Sequence, residues 1–406
     1  EFKVVVPVEK YAYLLSGNRK IDIHCMWPNL TRTSTIPPEG LEGKLIYGGN
    51  GNIKNLDGKD IEGSIVVLDF NSGIRWRTLA MLGVKAFIFT DTGSINRLQA
   101  NEKWVNIPID GPRFYAHKNS KEIIRLAMNE PVVKLFSRMD WENVTDYNIF
   151  GYLPGTNNKL KEDLIIIQTF YDSISVVPSI ANGASSSAGI STLLDIIDYF
   201  STNPPKRTIL FLATSSYYEG MKGMDNFVQQ HMRQEPIFRK RIGEENLITP
   251  RLFFGLNLSD GSDTLGIWHN SYDFYHQRVF VPFGRKFLSY AEVVSKKLGR
   301  KTENTLVNGI SPERGLIWQS FLPEKIRTDG EYVICSGNPA LSFITVNDGR
   351  WKVDTPVDTY ENLNLNNIVR QSLFLKNLLS IALNDPEFFP DVEMNIKDTM
   401  CTLNVK

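Results

Sequence analysis

Asp163-Leu-Ile-Ile-Ile-Gln168 is an apolar run of strand length, closed at each end by a polar residue. A strand buried on both faces of a sheet reads this way, without alternation. Outward from it the chain alternates strand, loop and helix. Ser187–Phe200 places Ile190, Leu193, Leu194, Ile197 and Tyr199 at helical spacing. Ser187 stands where an N-cap belongs, and Asn203-Pro-Pro205 stops the helix. Thr208-Ile-Leu-Phe-Leu-Ala213 is the next buried strand, and Arg251–Leu258 another. Met224–Met232, Gly284–Leu298 and Asn364–Leu383 read as helices. This rhythm predicts an α/β fold: a mixed, mostly parallel sheet with helices on both faces.

A second, smaller and β-rich unit precedes it. Lys3-Val-Val-Val-Pro7 reads as an edge strand, and Lys44–Tyr47, Ser64–Asp69 and Lys85–Thr90 as strands. Arg77–Leu82 is a short helix, with Gly83 at its C-cap. The unit closes near Val132–Phe136. The expected division is 1–44, 45–136, 137–384, and a tail at 385–406. With 406 residues, two or three domains are expected at ~150 residues each.

Composition excludes several classes. The 45 basic residues equal the 45 acidic ones, so no basic face for nucleic acid or anionic lipid is expected. No stretch approaches the ~20 apolar residues of a membrane helix. Membrane attachment is therefore expected only through a segment outside this chain. Three cysteines (Cys25, Cys335, Cys401) cannot build a disulfide scaffold, and no Cys/His cluster has structural-zinc spacing.

Four loop segments carry the functional reading, because sites in such sheets lie where strands end. They are Phe170-Tyr-Asp-Ser173, Asn182-Gly-Ala-Ser-Ser-Ser-Ala-Gly189, Ser215-Ser-Tyr-Tyr-Glu-Gly-Met-Lys-Gly223 and Asp354-Thr-Pro-Val-Asp-Thr-Tyr-Glu-Asn-Leu363. In order and spacing they resemble peptidase family M28, which includes zinc aminopeptidases, glutamate carboxypeptidases and transferrin-receptor-like ectodomains. Thr355–Leu363 is the most specific match. The block 45–136 resembles a protease-associated domain, an insert found in several members. Residues 1–44 would then complete the peptidase-like fold.

The family holds two zinc ions, and a glutamate serves as base. Carried over, its first His ligand falls on Phe170 and its bridging Asp on Ser185. The base Glu falls on Tyr217 and the adjacent Glu ligand on Tyr218. The third-strand Asp falls on Ser259 and the last His on Asp354. Only Asp172 stands where the family has it. Zn²⁺ takes imidazole, thiolate or carboxylate at ~2.0–2.3 Å. Phe offers no donor, Ser a poor one, and a Tyr of pKa ~10 is no base near neutrality. A one-residue slide would bring Glu219 and Asp260 beside Asp172 and Asp354, an all-oxygen set suited to Ca²⁺ or Mg²⁺.

The expected function is a non-catalytic binding or scaffolding module with protein partners and no cofactor, extracytoplasmic like most relatives with this domain pair. The alternatives are an aminopeptidase with a rewired metal site, and a peptide- or carbohydrate-binding cleft at Tyr217/Tyr218. Phe170, Tyr217 and Tyr218 are expected to pack the site, and Asp354 to cap Thr355-Pro356 and the last helix. Asp172 should keep a structural hydrogen bond. Ser185–Ser187 lack a Gly-x-Ser-x-Gly context and a neighbouring His, so a helix-start loop is expected rather than a nucleophile. Trp268, His269 and His276 are read as structural. Arg239-Lys-Arg241 and Lys296–Lys301 are read as solvated. Asn29, Asn143 and Asn257 begin glycosylation triplets.

Overall fold

The computed structural model describes residues 1–29, 32–104, 109–233, 240–269, 274–310 and 320–389. Arg239, Cys401 and the tail beyond 389 lie outside the described residues, as does the side chain of His276.

Two mixed sheets form the molecule. The first contains β1 (Phe2–Ser16), β2 (Arg19–Asp22), β3 (His24–Cys25), β4 (Leu41–Tyr47), β5 (Ile65–Asp69), β6 (Ala86–Thr90), β7 (Arg113–Ala116) and β8 (Val132–Asp146). Their order is β2-β1-β8-β4-β5-β6-β7-β3. β4 to β7 run parallel, and the other pairs are antiparallel. Alternation buries both faces. Ile65 and Val67 join Leu14, Ile88 and Ile123 on one side. Val66 and Leu68 join Trp76, Phe87 and Phe89 on the other. Helices α1 (Arg75–Met81), α2 (Arg97–Asn101) and α3 (Ser120–Met128) supply Trp76, Ala100 and Ile123 to those layers. Gly83 follows α1 at φ +87°, a conformation that a side chain disfavours.

The second sheet contains β9 (Ile149–Leu153), β10 (Leu164–Phe170), β11 (Thr208–Thr214), β12 (Leu252–Asn257), β13 (Leu265–His269), β14 (Leu306–Asn308) and β15 (Ala340–Thr345). Its order is β14-β13-β15-β12-β10-β11-β9. β15, β12, β10 and β11 are parallel neighbours. Around it lie α4 (Ser187–Thr202), α5 (Lys222–His231), α6 (Phe274–Lys297), α7 (Gly330–Cys335) and α8 (Leu365–Asn384). The buried face of α4 is Ala188, Gly189, Thr192, Leu193, Ile196 and Phe200, at three- and four-residue intervals. Gly189 lets α4 approach β10: a Cβ there would sit 2.4 Å from Thr169 Oγ1. The α/β class with a mostly parallel second sheet is as expected. Among the described residues no helix is long and apolar enough to cross a membrane.

Two expectations fail. Residues 1–44 do not complete the second sheet. β1 pairs with β8 from Phe2 opposite Asp146 to Leu15 opposite Lys134, so the N-terminal strands belong to the first sheet. The expected break at 136 therefore falls inside β8, and the first unit runs to Asp146. Ser187 also does not cap α4. It is the first helical residue, and its hydroxyl donates to Ala184 O at 2.6 Å.

The first unit buries an unusual cation. Lys103 is fully buried, its Nζ donating to Gly73 O (3.2 Å) and Gln99 Oε1 (3.4 Å), with the Phe70 and Phe89 rings at 5.1 and 5.3 Å. Burial pushes its pKa down to about 7. Unfolding raises it again, so the unfolded chain binds the extra proton between about pH 7 and 10.5. This contribution to stability is complete above that window and is lost as pH falls through it. Denaturant titrations at pH 7 and pH 10 should show Lys103→Met flattening the rise seen in the wild type by an amount of order a few kcal/mol. An unchanged pH slope would refute the assignment.

Candidate functional site

The chain passes from β10 to β11 on one side and later to β12 on the other. The crevice at the C-terminal ends of these strands is the expected place for a site. Phe170 ends β10, Tyr217 and Tyr218 follow β11, Asn257 ends β12, and Arg350 and Asp354 follow β15. They line one pocket of about 320 Å³ together with Arg97 of α2.

Three rings fill its floor. Phe170 stacks on Tyr217, with centroids 4.2 Å apart and planes 17° apart. Tyr218 meets Phe170 edge-on at 6.1 Å and Tyr217 at 5.1 Å. Both phenols are also tied. Tyr217 OH donates to Arg327 O at 2.5 Å and accepts from Asn257 Nδ2 at 3.3 Å. Tyr218 OH lies 3.4 Å from Ser186 Oγ. Burial pushes both phenol pKa values upward, away from any role as a base at neutral pH. Asp172 sets the turn below them, accepting the Tyr217 N–H at 3.1 and 2.9 Å.

The other predicted positions are also engaged, but not all within the pocket. Ser185 donates its N–H to Asp358 Oδ1 (2.9 Å) and its hydroxyl to Asp260 Oδ1 (2.6 Å). Ser259 donates its hydroxyl to Asp348 Oδ2 at 2.6 Å. Asp354 is not a cap. Its Oδ2 accepts from Arg97 Nε at 3.1 Å, whereas Asn364 caps α8. Nor are the four carboxylates gathered as an oxygen cluster. Asp260 is held by Ser185 and by the Asn364 N–H, Asp172 by Tyr217, and Asp354 by Arg97. Glu219 is half-buried and acts electrostatically on Asp172. Among the described residues no group of three or more His, Cys, Asp or Glu is placed to hold a metal ion.

Trp268 packs on Phe321 and His269 stacks on Phe280, so neither lines the crevice. Asn257 is buried, its Oδ1 accepting from Arg350 Nη1 at 2.8 Å, which closes it to glycosylation in the folded chain. Asn29 donates to Ile109 O, and Asn143 is exposed on β8.

Arg97, Arg350, Asp329 and Glu324 were not anticipated. None lies within a motif, and no spacing marks them. Backbone strain marks part of the site after the fact. Among the described residues, six non-glycine residues have positive φ; of these Met221, Arg350 and Asp354 line the crevice, and Ser216 immediately precedes Tyr217. Such conformations cost of order 1–3 kcal/mol each and cluster at functional sites.

Buried carboxyls set the electrostatics. Asp172, Asp329 and Asp358 are each pushed up to about 7, chiefly by burial. Asp329 keeps one carboxyl oxygen unpartnered. A carboxyl raised in the folded state favours folding at low pH. That stability is complete below the unfolded pKa near 4 and is lost as pH rises to about 7. Asp329→Asn should therefore be more stable than wild type at pH 8 by of order 1–3 kcal/mol, with little difference at pH 4. Chemical denaturation at the two pH values decides it. A variant weaker at pH 8 would refute the account.

Solved structures share the fold. A zinc aminopeptidase from Bacillus subtilis aligns with TM-score 0.51 and 14% identity, covering 97% of this chain and 87% of its own. A peptidase M28 precursor from Shewanella amazonensis SB2B gives 0.51 and 14%, over 95% and 84%. Nicastrin, a gamma-secretase component, gives 0.58 and 11%, over 94% and 76%. At these identities the likeness is one of fold. No curated protein sequence matches the chain significantly. The sequence pattern of peptidase family M28 matches residues 148–378, more than half of the chain, beginning just after β8 ends. The chain belongs to peptidase family M28.

Proposed function

We propose that this chain is a non-catalytic member of its family, a pseudo-peptidase that binds protein partners within an extracytoplasmic assembly. The observation that carries the reading is the ring stack of Phe170, Tyr217 and Tyr218 on the pocket floor. By the family pattern these three positions supply a metal ligand, the catalytic base and a second metal ligand. Here they offer apolar surface and two phenols held neutral by burial. Hydrolysis needs an activated water, which in this chemistry comes from a metal ion and a base. Of the remaining family positions, Ser185 and Ser259 spend their hydroxyls on Asp260 and Asp348, and Asp354 gives one carboxylate oxygen to Arg97. A binding role fits the likeness to nicastrin, itself a component of a larger assembly.

The reading predicts no turnover of aminoacyl anilides by the purified chain in zinc-supplemented buffer. Chelator-sensitive hydrolysis at ordinary enzyme rates, of order 1 s⁻¹ or faster, would overturn it in favour of a rewired metallo-aminopeptidase. Saturable binding of short peptides or oligosaccharides without turnover, lost on Tyr218→Ala, would instead make the cleft the functional surface.

A further inference from the structure

One guanidinium joins the two units of the molecule. Arg97 opens α2 in the first unit, and its backbone N–H donates to Trp351 O at 2.7 Å. Its Nε donates to Asp354 Oδ2 at 3.1 Å, and its Nη1 pairs with Glu324. The two carboxylates come from separate segments of the second unit, the loop after β15 and the stretch before α7. A planar fork can meet both at once, whereas an ammonium is a single point charge.

Asp354 is built into this arrangement. It is only 8% exposed, it holds a left-handed φ of 65°, and its carbonyl accepts from Val176 N at 3.0 Å. Its Oδ1 has no partner and belongs to a residue that lines the pocket. The carboxylate thus retains acceptor capacity beyond what Arg97 uses. Arg97 itself is 21% exposed at its side chain and borders the same pocket, so the pair can be approached from solvent.

We propose that Asp354 and Glu324 form a guanidinium-binding seat whose ligand class is an arginine side chain, occupied in this conformation by Arg97 as an internal ligand. The seat goes beyond the scaffolding role. It names the chemistry a partner segment presents, an arginine that competes with Arg97, and it rests on ion-pair geometry rather than on the loss of catalysis.

Chemical rescue tests it. The full chain is prepared as wild type, Arg97→Ala and Arg97→Ala/Asp354→Asn, and titrated calorimetrically with methylguanidinium, with methylammonium as the control ion. Arg97→Ala should bind methylguanidinium saturably at millimolar concentration, and at least ~10-fold more tightly than the wild type or the double variant. It should not bind methylammonium comparably. Equal binding by all three proteins, or none by Arg97→Ala, overturns the seat. Should Arg97→Ala not fold, Arg97→Gln keeps a donor toward Asp354 and takes its place in the same titration. Refolding yield gives a further readout: methylguanidinium should raise the soluble yield of Arg97→Ala where methylammonium does not, and equal yields count against the seat.

Discussion

β10, β11, β12 and β15 run parallel, and their register makes Phe170 pair with Thr214 and Asn257 with Ile344. Their C-terminal ends therefore open onto one rim. Everything in the crevice depends on that alignment. It brings the residue ending β10, the turn after β11, the end of β12 and the loop after β15 within side-chain reach. The parallel core is in turn kept by continuous apolar strands buried on both faces, such as Ile165-Ile-Ile167 and Phe253-Phe254.

The crevice is lined and floored by packed side chains. Aromatic rings fill the floor and Arg97 pairs with Asp354 from the other unit, while the hydroxyls of Ser185 and Ser259, outside the pocket lining, reach nearby carboxylates. The same loops link the units through the backbone. Val176 donates its N–H to Asp354 O and accepts the Trp27 N–H, while its side chain joins the core around Trp76. The strained loops persist because these contacts hold them. Breaking a buried ion pair by removing one partner costs more than never having had it, because a charge is then left unpaired. That asymmetry means that any group displacing Arg97 must bring its own positive charge to Asp354.

The second sheet was legible because its strands are short apolar runs and its helices carry a clear period, as in Ile190, Leu193 and Ile197. The loop positions were legible only through family spacing, which located Phe170, Tyr217, Tyr218 and Asp354 on one pocket. What failed to show was long-range. β1 and β8 alternate weakly on their own, and their pairing joins residues more than a hundred positions apart. Arg97 reaches Asp354 across 257 positions, and Arg350 reaches Asn257 across 93. A charged residue that is to be buried against a distant partner looks in sequence like any surface charge. Ser187 and Asp354 were misread for a related reason. Both are cap-forming residue types, but Ser187 is already the first helical residue of α4, and Asp354 lies well before Leu365, where Asn364 takes the cap.

The claim on which the account turns is that this pocket holds side chains in place of metal. The most direct measurement is plasma mass spectrometry on the purified chain after dialysis against a zinc-containing buffer. The account predicts less than about a tenth of an equivalent of zinc per chain, because the positions offer no imidazole, thiolate or free carboxylate set. About two zinc ions per chain, as in a two-metal hydrolytic site, would contradict it.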